Sequence, residues 1–443
     1  MKLKIVGKPK LKIGSFVFSV LLVLSYLISN TNHYGLFTAY IAVFALLLSY
    51  DETVCLTVFL LPLAPALNST HIFVLLLLIL IVKSGKIPLA RMLLIAGFAM
   101  LEIAAHYVHG LFSTGDAAST NRMMGYIIAI ALLLYLLTIK RNVDFSYCVA
   151  MYLNGVSVLF LAFFAMMANR GELVQALTGA LGRIGVSGSN QGIQYPIMLN
   201  SNSIAYLSIA GIACCLVLFQ NGEGLSIKEK MYLMLKGGLS FITGFLTLSR
   251  SWIVALIVCF VLFAFSGTKD AKKLAYRLCG MFCFALLVLV VIGMTTNIFD
   301  AILERFFTES LTTGGGRTVI MKMYFEKFFG STTYMLLGTG VTDYTDVLHV
   351  RMSAHNATQQ ILVCLGIPGF VVMMCTLAKP AWAAFKQHVS LLYWIPIVCI
   401  ALFVQTIQFL NPAFIMMTYA VGVFALRMGC ERIVLNEKEQ NHD

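Results

Sequence analysis

Apolar runs long enough to cross a bilayer alternate with short polar or basic breaks along almost the whole chain. The pattern predicts about fourteen membrane helices, or about twelve if two of the shorter runs are half-helices. They lie near 15–30, 35–50, 53–67, 72–83, 92–109, 124–139, 145–168, 203–220, 234–248, 252–267, 278–296, 358–378, 390–409 and 413–427. The expected fold is an all-α polytopic integral membrane protein forming one membrane domain over 1–443.

Three breaks exceed a turn: 110–123, 169–202 and 297–357. In the longest, Ile298, Phe299, Ile302, Leu303, Phe306 and Phe307 repeat at helical spacing, with Asp300, Glu304, Arg305 and Glu309 elsewhere. A second amphipathic stretch, RTVIMKMYFEKFF, follows Gly314-Gly315-Gly316. Such helices lie on a membrane surface or cap a cavity, so 297–357 is expected to be a large helical outer loop.

Composition agrees: 60% of the 443 residues are hydrophobic and 11% charged, too few charges for a water-facing surface. The segment 1–14 carries five lysines and no small-residue cleavage site follows the first apolar run, so it reads as a retained cytoplasmic tail, matched by the tail at 428–443. With that end inside, 22 of the 31 basic residues fall inside and 9 outside, and the net charge of +12 reflects topology rather than nucleic-acid binding. The inner set holds 17 lysines and 5 arginines, whereas the outer holds 7 arginines and 2 lysines. Arg122, Arg170, Arg183, Arg250, Arg305, Arg317 and Arg351 thus give the outer face the planar forks that grip phosphate oxygens, although some such arginines serve only to reach headgroups. The eleven cysteines lie in or beside apolar runs and read as packing residues.

The candidate chemistry gathers at the outer breaks. His355 closes the longest one and is followed by Asn356, nine residues, and Gly366-x-x-Gly369. An imidazole titrates near working pH, which suits proton transfer, though a lone histidine at a helix mouth is often only interfacial. Arg317 opens a helix after three glycines, where free amides favour an anion, and Arg250 stands in LSRSW between two apolar runs, where an unpaired charge is costly. Glu102, His106 and His109 share a helix face and could form a proton relay or a metal site. Asp343, Asp346 and His349 could hold a cation, or be a solvated loop. Gly338-Thr339-Gly340 reads as a turn, and the glycines at 179, 182, 185, 188 and 192 as a pliable loop.

Taken together, HN-x9-GxxG, the Gly-Arg opening the loop helix, the LLGTGVTDY turn and the SRS turn resemble the bacterial O-antigen ligase and Wzy-type polymerase superfamily over roughly 200–375. Where that family often has an Asn-Pro-Asn-like stretch, this chain has Asn200-Ser201-Asn202. The resemblance implies a membrane glycosyltransferase without cofactor or metal, in which Arg250 and Arg317 bind the pyrophosphate of an undecaprenyl-linked glycan donor and His355 acts on an acceptor hydroxyl. Asn356, Arg305, Arg351 and Arg122 stand as supporting residues.

The acceptor would be another lipid-linked chain, for a polymerase, or lipid A core, for a ligase. Seven outer arginines suit two pyrophosphate lipids better than one and favour the polymerase. The expected setting is a bacterial inner membrane, with both termini cytoplasmic, the active site facing outward, membrane lipids around it, and a chain-length regulator and flippase as partners. A lipid-linked oligosaccharide flippase is the rival of another class. It would place its charges in a central cavity between related halves.

Overall fold

The computed structural model describes residues 8–440 except 30, 32, 68–70, 86–87, 111–116, 140–142, 179–182, 186–195, 198, 223–224, 267–271, 273–279, 281–316, 343, 351–352 and 411–412, and gives backbone alone at 117–119, 317 and 435–440. Most of the expected span 278–296, the amphipathic stretch 298–309 with Arg305, and also Arg351, Asp343 and the glycines at 179, 182, 188 and 192, lie outside the described residues.

Among the described residues every regular element is helical. We number them α1 (Pro9–Ile28), α2 (Tyr34–Leu47), α3 (Tyr50–Leu60), α4 (Ala64–Leu67), α5 (His71–Ser84), α6 (Leu89–Val108), α7 (Ala117–Leu137), α8 (Phe145–Asn169), α9 (Leu173–Thr178), α10 (Ser201–Gln220), α11 (Ile227–Leu246) and α12 (Arg250–Phe265). There follow α13 (Arg317–Phe329), α14 (Thr332–Leu337), α15 (Tyr344–Val347), α16 (Ala357–Lys386), a 3-10 turn (Leu391–Trp394), α17 (Ile395–Val404) and α18 (Ala413–Gln440). Seven of the described helices, α1, α6, α7, α8, α10, α16 and α18, are long and apolar enough to cross a membrane, and α2, α5, α12 and the 3-10 turn with α17 add shorter apolar pieces. The chain is an all-α polytopic membrane protein.

Burial ranks these helices. The apolar window of α10 is 83% buried, whereas those of α1 and α6 are 33% and 28% buried, so α10 is central and the other two face lipid. Small and hydroxyl side chains let the centre close up. Ser208 of α10 donates to the Ser240 carbonyl of α11 at 2.6 Å and accepts from Trp252 Nε1 of α12 at 2.9 Å, so one hydroxyl joins three helices.

Contacts between helices fix the two ends of the bundle. Ser249 reaches Asn202, Trp252 reaches Ser208, the rings of Tyr206 and Phe403 lie 5.8 Å apart, and Tyr393 donates to Asn221 at 2.7 Å. Therefore α10 and α12 run the same way and α17 runs against them, which brings Arg250 and Gln405 to one end. At the opposite end basic side chains cap helix carbonyls: Arg91 donates to Thr138 O at 2.5 Å, Lys83 to Ala45 O at 2.7 Å, and Arg427 to Leu137 O and Ile139 O. Carbonyls at helix C-termini lack partners of their own and attract cations.

Four spans differ from the hydropathy reading. The run 53–67 breaks at Leu61–Leu63 into α3 and α4, because Pro62 cannot continue the helix ladder. The run 390–409 is helical only to Val404, and α16 and α18 extend past their apolar spans to Lys386 and Gln440.

Candidate functional site

The mouth of α16 is built by side-chain capping. Asn356 is its N-cap, its Oδ1 accepting from the Gln359 amide at 2.9 Å, and its Nδ2 donates to the Gln405 carbonyl at 3.4 Å. Thr358 donates to Gln405 Oε1 at 3.0 Å, and Gln359 Nε2 donates to the Met321 carbonyl of α13 at 2.8 Å. Buried Gln360 accepts from the amides of Phe409 and Leu410 at 2.7 and 2.9 Å. Residues 356–360 thereby tie α13, α16 and the α17–α18 connection together.

His355 stands on this knot. On its other side the Ala354 amide donates to the Tyr344 hydroxyl at 3.1 Å, and the Tyr344 ring lies 5.9 Å from that of fully buried Tyr324. Burial pushes both phenol pKa values up, so they stay protonated near neutral pH. With backbone fixed on both sides, the half-buried imidazole lines a cleft of about 110 Å³ with Thr318, Ile320, Met321, Asn356, Gln359 and Gln405.

Arg317 begins the described part of α13, directly before Thr318 of the cleft. Arg250 is the first residue of α12, at the same end of the bundle as Gln405 but outside the lining of this cleft. The turn before it is strained: buried Leu248 has φ 49°, a left-handed conformation disfavoured for a branched side chain. The strain is held by the loop between α9 and α10. Arg183 donates to the Thr247 carbonyl at 2.9 Å and to Asn202 Oδ1 at 3.2 Å, while Asn200 caps α10 through the Ser203 amide at 2.8 Å. Asn200-Ser201-Asn202 therefore closes the SRS turn. Arg122, exposed in the first turns of α7, does not line the cleft.

The trio on α6 has another fate. Glu102, 1% exposed, accepts from the Val341 amide with both oxygens at 3.0 Å and from the Thr342 amide at 3.5 Å. Buried His106 lies 3.8 Å from Glu102 Oε1 and 3.1 Å from Thr342 Oγ1, and His109 Nε2 donates to the Gly338 carbonyl at 2.9 Å. The turn they hold is also pinned to α16. Pro368 has no N–H for the Cys364 carbonyl, and the Gly340 amide takes that carbonyl at 3.0 Å while Thr339 takes that of Val363. Gly338 and Gly366, at φ 73° and 67°, face each other there, and a Cβ on Gly338 would come 2.1 Å from the Cys364 carbonyl. Among the described residues no three His, Cys, Asp or Glu side chains are grouped to hold a metal.

Sequence reasoning missed Gln405, Tyr344 and the Arg183–Asn202 clip. A glutamine inside the apolar run ALFVQTIQFL was a readable signal for the first, whereas Tyr344 had none.

Residues 237–374 match the family described as O-antigen ligase. No curated protein matches the chain. The matched segment runs from the second half of α11 to α16 and contains Arg250, Arg317, the 338–342 turn, His355, Asn356 and the Gly366–Gly369 kink. Over that segment, this multi-pass membrane protein is similar to the O-antigen ligase family.

Proposed function

We propose that this protein polymerises undecaprenyl-pyrophosphate-linked oligosaccharide repeat units on the outer face of a bacterial inner membrane, with both termini cytoplasmic. The observation that carries the reading is the cleft in which His355 and Asn356 meet the first turn of the helix that Arg317 opens. An acceptor sugar hydroxyl gives its proton to His355 while its oxygen bonds to the donor's anomeric carbon. The bond from that carbon to the pyrophosphate oxygen breaks on the opposite face, so the anomeric centre inverts and the pyrophosphate keeps the electron pair. Charge grows on the leaving group as the bond breaks, so fixed arginines lower the barrier more than they tighten binding. No metal ion is required in this scheme, since Arg250 and Arg317 neutralise the pyrophosphate. Chain-length regulators and a flippase would act beside it.

A ligase reading, with lipid A core as acceptor, is favoured by the family's description. Purified protein given synthetic polyprenyl-pyrophosphate repeat unit alone should make a ladder of longer lipid-linked chains. Product formed only after addition of lipid A core would assign the ligase instead. Arg250→Lys and Arg317→Lys should each lose most of the rate, because lysine keeps the charge without the two-point fork. Unchanged rates in both would remove the pyrophosphate site from the scheme.

A further inference from the structure

A cavity of about 800 Å³ lies far from the histidine cleft, between α1, α8 and α11. Its depth is set by the same end-to-end contacts. Asn169 at the end of α8 donates to the Leu27 carbonyl, while Lys8 before α1 pairs with Asp51, so the start of α1 lies opposite the His355 end. Lys12, Tyr232 and Lys236 line the cavity toward that start, and Val23, Leu24 and Leu161 line it toward the middle of the bundle.

Lys236 is anomalous. It is the tenth residue of α11, so its Cα sits about 13 Å along the helix from Ile227. Its ammonium donates to Asn154 Oδ1 and lies 3.7 Å from the centroid of Tyr232. Among the described residues no carboxylate pairs with it, and the other cation lining the cavity, Lys12, repels it. An ammonium carries three donors, and a cation held in an apolar crevice without an anion is a functional signal. The hydroxyls in the lining do not supply one. Ser15, Ser19 and Ser157 each donate to a carbonyl of their own helix, at 3.2, 2.6 and 2.9 Å.

We propose that this crevice binds one anionic diacyl lipid, its phosphate between Lys12 and Lys236 and one of its two acyl chains along Phe16, Val20, Leu24 and Leu161. The phosphate supplies the missing counter-charge and separates two like charges, and the apolar wall takes the chain. This site does not depend on the reaction proposed at His355. It explains why an amide, Asn154, stands beside a lysine in the lipid-facing crevice: it orients the ammonium without neutralising it.

Native mass spectrometry of the purified full chain, titrated with phosphatidylglycerol or with phosphatidylcholine of the same acyl chains, tests this. The wild type should retain one phosphatidylglycerol with about tenfold preference over phosphatidylcholine, as expected for lysines at a lipid headgroup. Lys236→Met, which keeps length and suits the apolar wall, should abolish the preference. Leu161→Trp, which leaves both lysines and fills the crevice, should lower retention of the anionic lipid. An unchanged preference in Lys236→Met, or full retention in Leu161→Trp, would overturn the site.

Discussion

Two groups of histidines stand near the same end of the molecule, and they are built in opposite ways. His106 and His109 are held by a glycine-rich turn from more than 200 residues away, with Glu102 beneath them saturated by backbone amides. His355 is half-buried in a cleft, with the backbone on either side fixed and the ring on the lining. A buried group whose donors and acceptors are all engaged fastens structure; a titratable ring on a cleft wall beside a helix N-terminus can do chemistry. The α6 trio is therefore a clasp for the 338–342 turn, and that turn leads through Tyr344 to His355.

The largest effect should separate the two groups cleanly. His355→Ala should cut transfer by about 10² to 10⁴ with the unfolding temperature unchanged, as for loss of a general base. Glu102→Gln should act on stability instead, by about 1–3 kcal/mol, because its amide sets N–H groups against the Val341 and Thr342 amides. A lower unfolding temperature in detergent with the rate per folded molecule retained is the expected result; a rate loss at unchanged stability would make the α6 trio part of the reaction. The smallest effect is at Asn356→Ala, which removes the cap of α16 at a cost of about 1 kcal/mol. Faster amide exchange at 357–360, restored in Asn356→Asp, would register it, and no change would show that Gln405 and Tyr344 hold the mouth alone.

Much of this was legible because a bilayer leaves few options: backbone groups must be satisfied within the span, so apolar runs reveal helices. The helix start after Asn356 was likewise readable from capping chemistry. Partners far apart in sequence were not. That Glu102, His106 and His109 share a face follows from their spacing, yet what they grip is a turn brought in by the kink that Gly366 and Pro368 place in α16. Similarly, Asn200-Ser201-Asn202 departs from the family pattern by one residue, and only the contacts of Asn202 with Arg183 and Ser249 reveal its place beside Arg250.

The central claim is that Arg250, Arg317 and His355 serve one donor lipid. The most direct measurement is a structure of the full chain with a polyprenyl pyrophosphate bound. The pyrophosphate should lie between the first turns of α12 and α13, within hydrogen-bond distance of both guanidinium groups, with His355 across the space that the donor's anomeric carbon would fill beyond the terminal phosphate oxygen. A pyrophosphate seated at the opposite end beside Lys236, or touching neither arginine, would contradict it.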